Sequence, residues 1–285
     1  MEKVLRQICR EYAEDADTQG IVLVEKAAGK ESLTDFFDAV LLVISAGKSN
    51  SVTHHFNGET VDISLHVVAE EDLFEWIITG KNRKIMEWLL IGQLLYNRNN
   101  TVPFMKKRLK RFPGSERRKR SAVEFAGLVR SFEDGKTQYH LRHFLDAFHD
   151  MFDALDHLAR LSVIEKGMYP EVTIWEQVKE IDPETYKLYQ ELVAGEDNVE
   201  KRLELLIIAV EFSIRSKSET GKAHLETVLK VSGRQWSYDE LCCHPELEEY
   251  AVDLEILLQY LVKHGYINKE KKHSKLRDIF YYKYG

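Results

Sequence analysis

The sequence predicts an α+β fold in three parts: a mixed-sheet domain over residues 1–118, a helical bundle over 119–218 and a smaller domain of helices and two strands over 219–285. Three observations carry this. Two short apolar runs near the N-terminus, Ile21-Val22-Leu23-Val24 and Val40-Leu41-Leu42-Val43-Ile44, read as strands covered on both faces. Apolar residues recur at steps of three and four from Leu141 to Ala159, the pattern of a helix with one buried face. A helical stretch from Pro245 to His264 stops at Gly265 and is followed by two short strands, Tyr266-Ile267 and Ile279 to Tyr282.

Composition is that of an ordinary globular chain: 285 residues, 44% hydrophobic and 31% charged. The net charge of -7 gives no overall attraction for nucleic acid, so any such contact must be local. Cys9 and the neighbours Cys242 and Cys243 make no C-x-x-C or secretory pattern, which points to a reducing, cytoplasmic setting. No apolar run is long enough to cross a membrane.

Val4 to Tyr12 has apolar residues at helical spacing, and the two apolar strands follow it. The Asn57-Gly58 pair signals a hairpin turn. Val61 to Val68 alternates, with Val61, Ile63, Leu65 and Val67 on one face and Asp62, Ser64 and His66 on the other. Glu70-Glu71-Asp72 suits the positive end of a helix. Lys84 to Ile91 is a second helix, and Leu94-Leu95-Tyr96 a last short strand. Gly47-Lys48-Ser49 lacks the first glycine of a P-loop, whose place falls on Leu42. His54, His55 and His66 are metal-ligand types, but nothing in their spacing fixes a site.

An apolar strand, a loop ending in Thr34-Asp35-Phe36-Phe37-Asp38, and a second apolar strand resemble the nucleotidyltransferase superfamily of kanamycin-nucleotidyltransferase and polymerase-β type. Most of the chain is similar to bacterial nucleotidyltransferase-like proteins with a C-terminal helix-turn-helix domain. The resemblance implies a nucleoside triphosphate and Mg2+, with Asp38 and Asp62 as catalytic carboxylates and Asp35, Asp38 and Asp62 around the metal. It also implies phosphate contacts from Glu25, Lys26 and Thr34, and from Lys106 and Arg108 of the basic segment. Two departures stand out: Glu25-Lys26 replaces the family's Gly-Ser, and Asp38-Ala39-Val40 replaces Asp-x-Asp. Paired magnesium ions about 4 Å apart need several anionic oxygens. Asp35 and Asp38 are three apart, which on a regular strand puts them on opposite faces.

Nine cations crowd residues 106–120, divided by Phe112-Pro113-Gly114-Ser115. Such a run is either a solvated helix end or a grip on phosphates. Ala122 to Phe132 reads as a helix ended by Gly135, and Gln138 to Glu165 as a longer one whose Arg142, His149, Asp153, Asp156 and Arg160 share a flank. That flank reads as an interhelix ion-pair network or as the border of an acceptor pocket. Arg142 and His149 also match the Arg-x4–6-His spacing of ribonuclease-like toxins that resemble this fold family. Asp182-Pro183 starts one helix and Val199 to Ser216 forms the next.

Beyond it come a helix from Ala223 to Val231, a capping box at Ser237–Glu240, the helix from Pro245, and two strands around a basic stretch. That is the order of a winged helix-turn-helix domain. The reading helix carries Glu246, Glu248, Glu249, Asp253 and Glu255, and only the wing, 269–277, is basic. Protein contact or packing is therefore favoured over DNA contact. The leading expectation for the whole chain is a nucleotidyltransferase-like protein without catalysis that retains nucleotide or phosphate binding. One alternative is an active Mg2+-dependent enzyme moving a nucleoside monophosphate onto a hydroxyl. The other is a regulator that contacts nucleic acid through segment 106–120 or wing 269–277.

Overall fold

The computed structural model describes all residues except 1, 30, 48–51, 58–60, 232–233, 274–277 and 285. It divides into two compact units, Met1–Pro113 and Gly114–Gly285. The α+β class holds.

The first unit runs α1 (Glu2–Glu14), β1 (Thr18–Glu25), β2 (Ala39–Ser45), β3 (Val52–Asn57), β4 (Asp62–Ala69), α2 (Glu70–Thr79), α3 (Arg83–Ile91), β5 (Gln93–Asn97) and α4 (Thr101–Arg111). The sheet order is β3-β4-β2-β1-β5, with β2 and β4 parallel and the other pairs antiparallel. The apolar runs are central because both faces are covered. Leu5 and Ile8 of α1 pack with Leu23, Leu41 and Leu65 on one face. Helices α2, α3 and α4 pack on the strands as well, and Val22, Val40, Leu42 and Ile44 are fully buried. The expected Asn-Gly turn and the Lys48-Ser49 pair lie in or beside the segments outside the described residues.

The second unit runs α5 (Gly114–His140), α6 (Phe144–Glu165), α7 (Ile174–Ile181), α8 (Pro183–Ala194), α9 (Val199–Val231), β6 (Trp236–Ser237), α10 (Tyr238–Cys242), a 3-10 segment (Pro245–Asp253), α11 (Leu254–Lys263), β7 (Ile267–His273) and β8 (Asp278–Tyr284). The last three strands form a sheet in the order β6-β8-β7, the wing of a winged helix. One apolar core runs from Phe125 and Leu155 in the bundle through Leu225 to Leu254 and Leu257 in the C-terminal part.

Four local expectations are corrected. Gly135 does not end its helix: α5 continues to His140, and a Cβ at Gly135 would stand 3.1 Å from Met151 Cε, so the glycine serves close packing against α6. The helix expected over Gln138–Glu165 is broken before α6, where Arg142 takes φ 64°. Leu141 falls before α6 and Leu145 on its exposed side, so both lie outside the buried stripe, which is made by Ala147, Met151, Ala154, Leu155 and Leu158. Val199–Ser216 and Ala223–Val231 are one helix of 33 residues. Pro245–His264 is a 3-10 segment, irregular at Tyr250, followed by α11. The caps read from sequence are present: Asp182 accepts from the Thr185 amide, and Ser237 and Glu240 form a reciprocal capping box.

Candidate functional site

Register brings two of the expected carboxylates together at one end of the first sheet. Strands β2 and β4 start side by side, with Ala39 opposite Ile63 and Val40 opposite Ser64. The Asp38 amide donates to the Asp62 carbonyl, and the Asp62 amide donates to Asp38 Oδ2, both at 2.9 Å. Lys26, one residue beyond β1, joins this edge by donating its amide to the Asp38 carbonyl. Val40, where the resemblance puts the second carboxylate, is fully buried.

The remaining candidates disperse. Asp35 ion-pairs with Lys84 of α3. Asp35 and Phe36 adopt φ of 52° and 67°, the left-handed region that non-glycine residues enter only when held there. The holding contacts are Trp88 Nε1 donating to the Leu33 carbonyl at 2.6 Å and the Lys84 pair. Thr34 is buried, and its hydroxyl donates inward to the Phe37 carbonyl at 2.7 Å. Glu25 pairs with Ala39 in the register and lines a cavity of about 500 Å³ with Leu5, Arg6, Arg10 and Gln93, on the α1 face. Lys106 donates to the Gly92 carbonyl. Burial, with Lys110 beside it, pushes the Lys106 ammonium below its usual range. Arg108 lies over the rings of Phe74 and Phe104, at 4.9 and 5.9 Å.

Among the described residues no three His, Cys, Asp or Glu side chains form a group that could hold a metal ion. The donor chemistry does not fit a two-magnesium centre. Asp38 is engaged with the Asp62 amide, Asp35 with Lys84, and Val40 supplies no oxygen. Beneath this edge lies a cluster that the sequence did not reveal. The Ser64 hydroxyl and His66 Nε2 are 2.9 Å apart, and the His66 ring lies 4.8 Å from that of Trp88. Only the alternation of β4 hinted at it, by putting Ser64 and His66 on one face.

The basic segment falls in two helices of different units. In the second unit, Lys119 pairs with Glu249 at 2.8 Å, and Arg120 is buried against Glu124. Glu124 also accepts from His157 Nδ1 at 2.6 Å. Burial alone would raise the Glu124 pKa, but Arg120, His157 and Arg160 together hold it down at about 2. On the expected flank, Arg160 grips Asp156 through two hydrogen bonds of 2.8 and 3.1 Å, while exposed His149 lies 3.8 Å from Asp153. Arg142 sits in the turn before α6, apart from that line.

In the winged-helix part, Arg130 of α5 donates to Asp253 at 2.8 Å and to the Val252 carbonyl at 3.0 Å, at the start of α11. The wing strands present exposed Lys269, Lys271 and Lys272, with Lys269 4.2 Å from the Phe280 ring centre and Lys272 4.7 Å from that of Tyr281. Lys275 and Arg277 lie outside the described residues. Cys9, Cys242 and Cys243 are free thiols. No described helix is long and apolar enough to cross a membrane.

An antiparallel-parallel sheet with carboxylates at its strand ends, then a helical bundle and a winged helix, define a nucleotidyltransferase-like protein with a helix-turn-helix end. Family models match in the same order: Nucleotidyltransferase-like over residues 1–117, YgxA-like substrate binding domain over 118–217 and Helix-turn-helix domain over 223–285. YgxA of Bacillus subtilis (strain 168) is 40% identical over 269 residues, covering 94% of this chain and 91% of that one. The crystal structure of a nucleotidyltransferase-like protein from Exiguobacterium sibiricum 255-15 superposes with a TM-score of 0.84 at 37% identity, covering 100% of this chain and 99% of that one. The chain belongs to the YgxA-like family of nucleotidyltransferase-like proteins.

Proposed function

We propose that this protein is a non-catalytic nucleotidyltransferase-like binding protein that retains contact with nucleotide phosphates at the Lys26–Asp38–Asp62 edge. The observation that carries this reading is the closed pair Asp38–Asp62: the carboxylate best placed for a metal caps a backbone amide, and its expected companion is Val40. Lys26 supplies an exposed ammonium beside that pair, within 3.4 Å of the Phe36 carbonyl. An ammonium is a point charge suited to phosphate oxygens. Thermal shift with ATP, with and without Mg2+, tests the reading. Stabilisation that is independent of Mg2+ and lost in Lys26→Ala supports it. Stabilisation that requires Mg2+ and vanishes in Asp38→Ala overturns it in favour of the transferase reading.

The family model of residues 118–217 supports a substrate-binding role for the bundle. The helix-turn-helix match supports contact with nucleic acid, and we assign that contact to the wing. The first turn of α11 is held by Arg130, and the preceding 3-10 segment carries Glu246, Glu248 and Glu249, which repel phosphates. Fluorescence anisotropy with duplex DNA across a salt series tests this. Lys269→Ala with Lys272→Ala should flatten the salt dependence by about two counterions. No affinity at low salt removes the assignment.

A further inference from the structure

Helices α8 and α9 border a cleft of about 670 Å³. Its floor is Leu158 of α6, which is fully buried. One wall carries Ile208 and Phe212, one turn apart on α9 and 65% and 75% exposed. Two large apolar side chains standing in water on the wall of a cavity mark a surface suited to a partner. The facing wall carries Glu184, Lys187 and Glu191 of α8, which at steps of three and four share a helix face. Among the described residues these three side chains have no ion-pair or hydrogen-bond partner. The other charged groups of the cleft are engaged. Asp182 accepts from Ser162 at 2.7 Å and from the Thr185 hydroxyl at 2.8 Å, and Lys217 pairs with Glu165.

We propose that the α8–α9 cleft is a binding site for a small amphipathic molecule with an aromatic body and a protonated amine. The volume lies within the range of single-ligand pockets, roughly 300 to 1,000 Å³. An aromatic body covers Ile208 and Phe212, and an edge or face contact with the Phe212 ring adds orientation. Of the three unengaged rim charges two are carboxylates, so the rim favours a cation over an anion. The inference rests on the substrate-binding reading of the bundle and needs neither nucleotide nor DNA contact elsewhere in the chain.

The test is saturation-transfer NMR and calorimetry on the full chain with three probes: 2-phenylethylamine, 3-phenylpropionate and benzyl alcohol. The amine should bind best, by about fivefold over the anion at low salt. Phe212→Ser should abolish its binding, and Glu184→Gln with Glu191→Gln should remove the preference for the amine. All three side chains are exposed, so circular dichroism should show the fold unchanged. Equal binding of amine and anion overturns the proposal. Amine binding that survives Phe212→Ser overturns this site while leaving a substrate-binding bundle intact. Binding of no probe, with a sedimentation shift from dimer to monomer in Phe212→Ser, overturns it in favour of a contact between copies of this chain.

Discussion

His157 Nδ1 donates to the Glu124 carboxylate at 2.6 Å across the α5–α6 interface, and Arg120 donates to the same carboxylate from one turn earlier on α5. The imidazole fits because the residue beneath it is Gly127, whose Cβ would stand 2.6 Å from His157 Nε2. A buried carboxylate is tolerated only with such partners.

The pH dependence follows in sign. Glu124 falls from 4.5 to about 2 on folding, so its contribution is complete above pH 4.5 and is lost as pH drops from there toward 2. His157 is raised from 6.5: burial opposes this, but the Glu124 hydrogen bond and charge prevail. Its contribution is complete below pH 6.5 and is lost as pH rises through its folded value. Urea unfolding at a series of pH values should show both limbs. Glu124→Gln should flatten both and cost about 3 kcal/mol near neutrality, since buried Arg120 and His157 lose the carboxylate charge that they share.

Gly221 of α9 faces the Phe125 ring of α5 so closely that any Cβ would overlap it. Gly221→Ala should therefore destabilise the second unit by about 1–3 kcal/mol despite its better helix propensity. Differential scanning calorimetry would show the loss, and Phe125→Leu in the same chain should recover part of it.

Asp38→Ala removes the acceptor of the Asp62 amide and should cost about 1 kcal/mol with no dependence on Mg2+. Asp38→Asn keeps an acceptor and should cost less. Chemical denaturation with and without Mg2+ measures both variants.

Arg130→Ala frees the Asp253 carboxylate and the Val252 carbonyl. Amide exchange in the first turn of α11 should quicken, with a stability loss of about 1 kcal/mol, while exchange in α6 stays unchanged.

Residues 21–24 and 40–44 were legible as strands because burial on both faces demands an unbroken apolar run. Asp38 and Asp62 were legible as a pair because each directly precedes or starts a neighbouring strand. The partner of Asp35 was not: Lys84 lies 49 residues away, and only the turn of the 31–38 loop toward α3 joins them. The Glu124–His157 pair was hidden for the same reason, being 33 residues apart on two helices. One glycine misleads. Gly135 reads as a helix end, whereas it and Gly221 both lie inside helices at points where a neighbouring side chain presses in. Spacing alone does not distinguish a stop from a notch. Leu141 continues the period of the α6 stripe on paper, but the left-handed turn at Arg142 separates it from that helix, and Leu145 stands on the exposed side of α6, away from Ala147, Met151 and Ala154.

Helix α9 spans 33 residues, or about 50 Å, and is shared by the bundle and the winged helix without a linker. A rigid shaft of this kind leaves no hinge at which the C-terminal part could swivel. Anything that tilts its N-terminal half, next to α8, must tilt the wing by the same angle. An expression fragment cut at 218/219 would sever the shaft midway and expose its apolar side on both pieces.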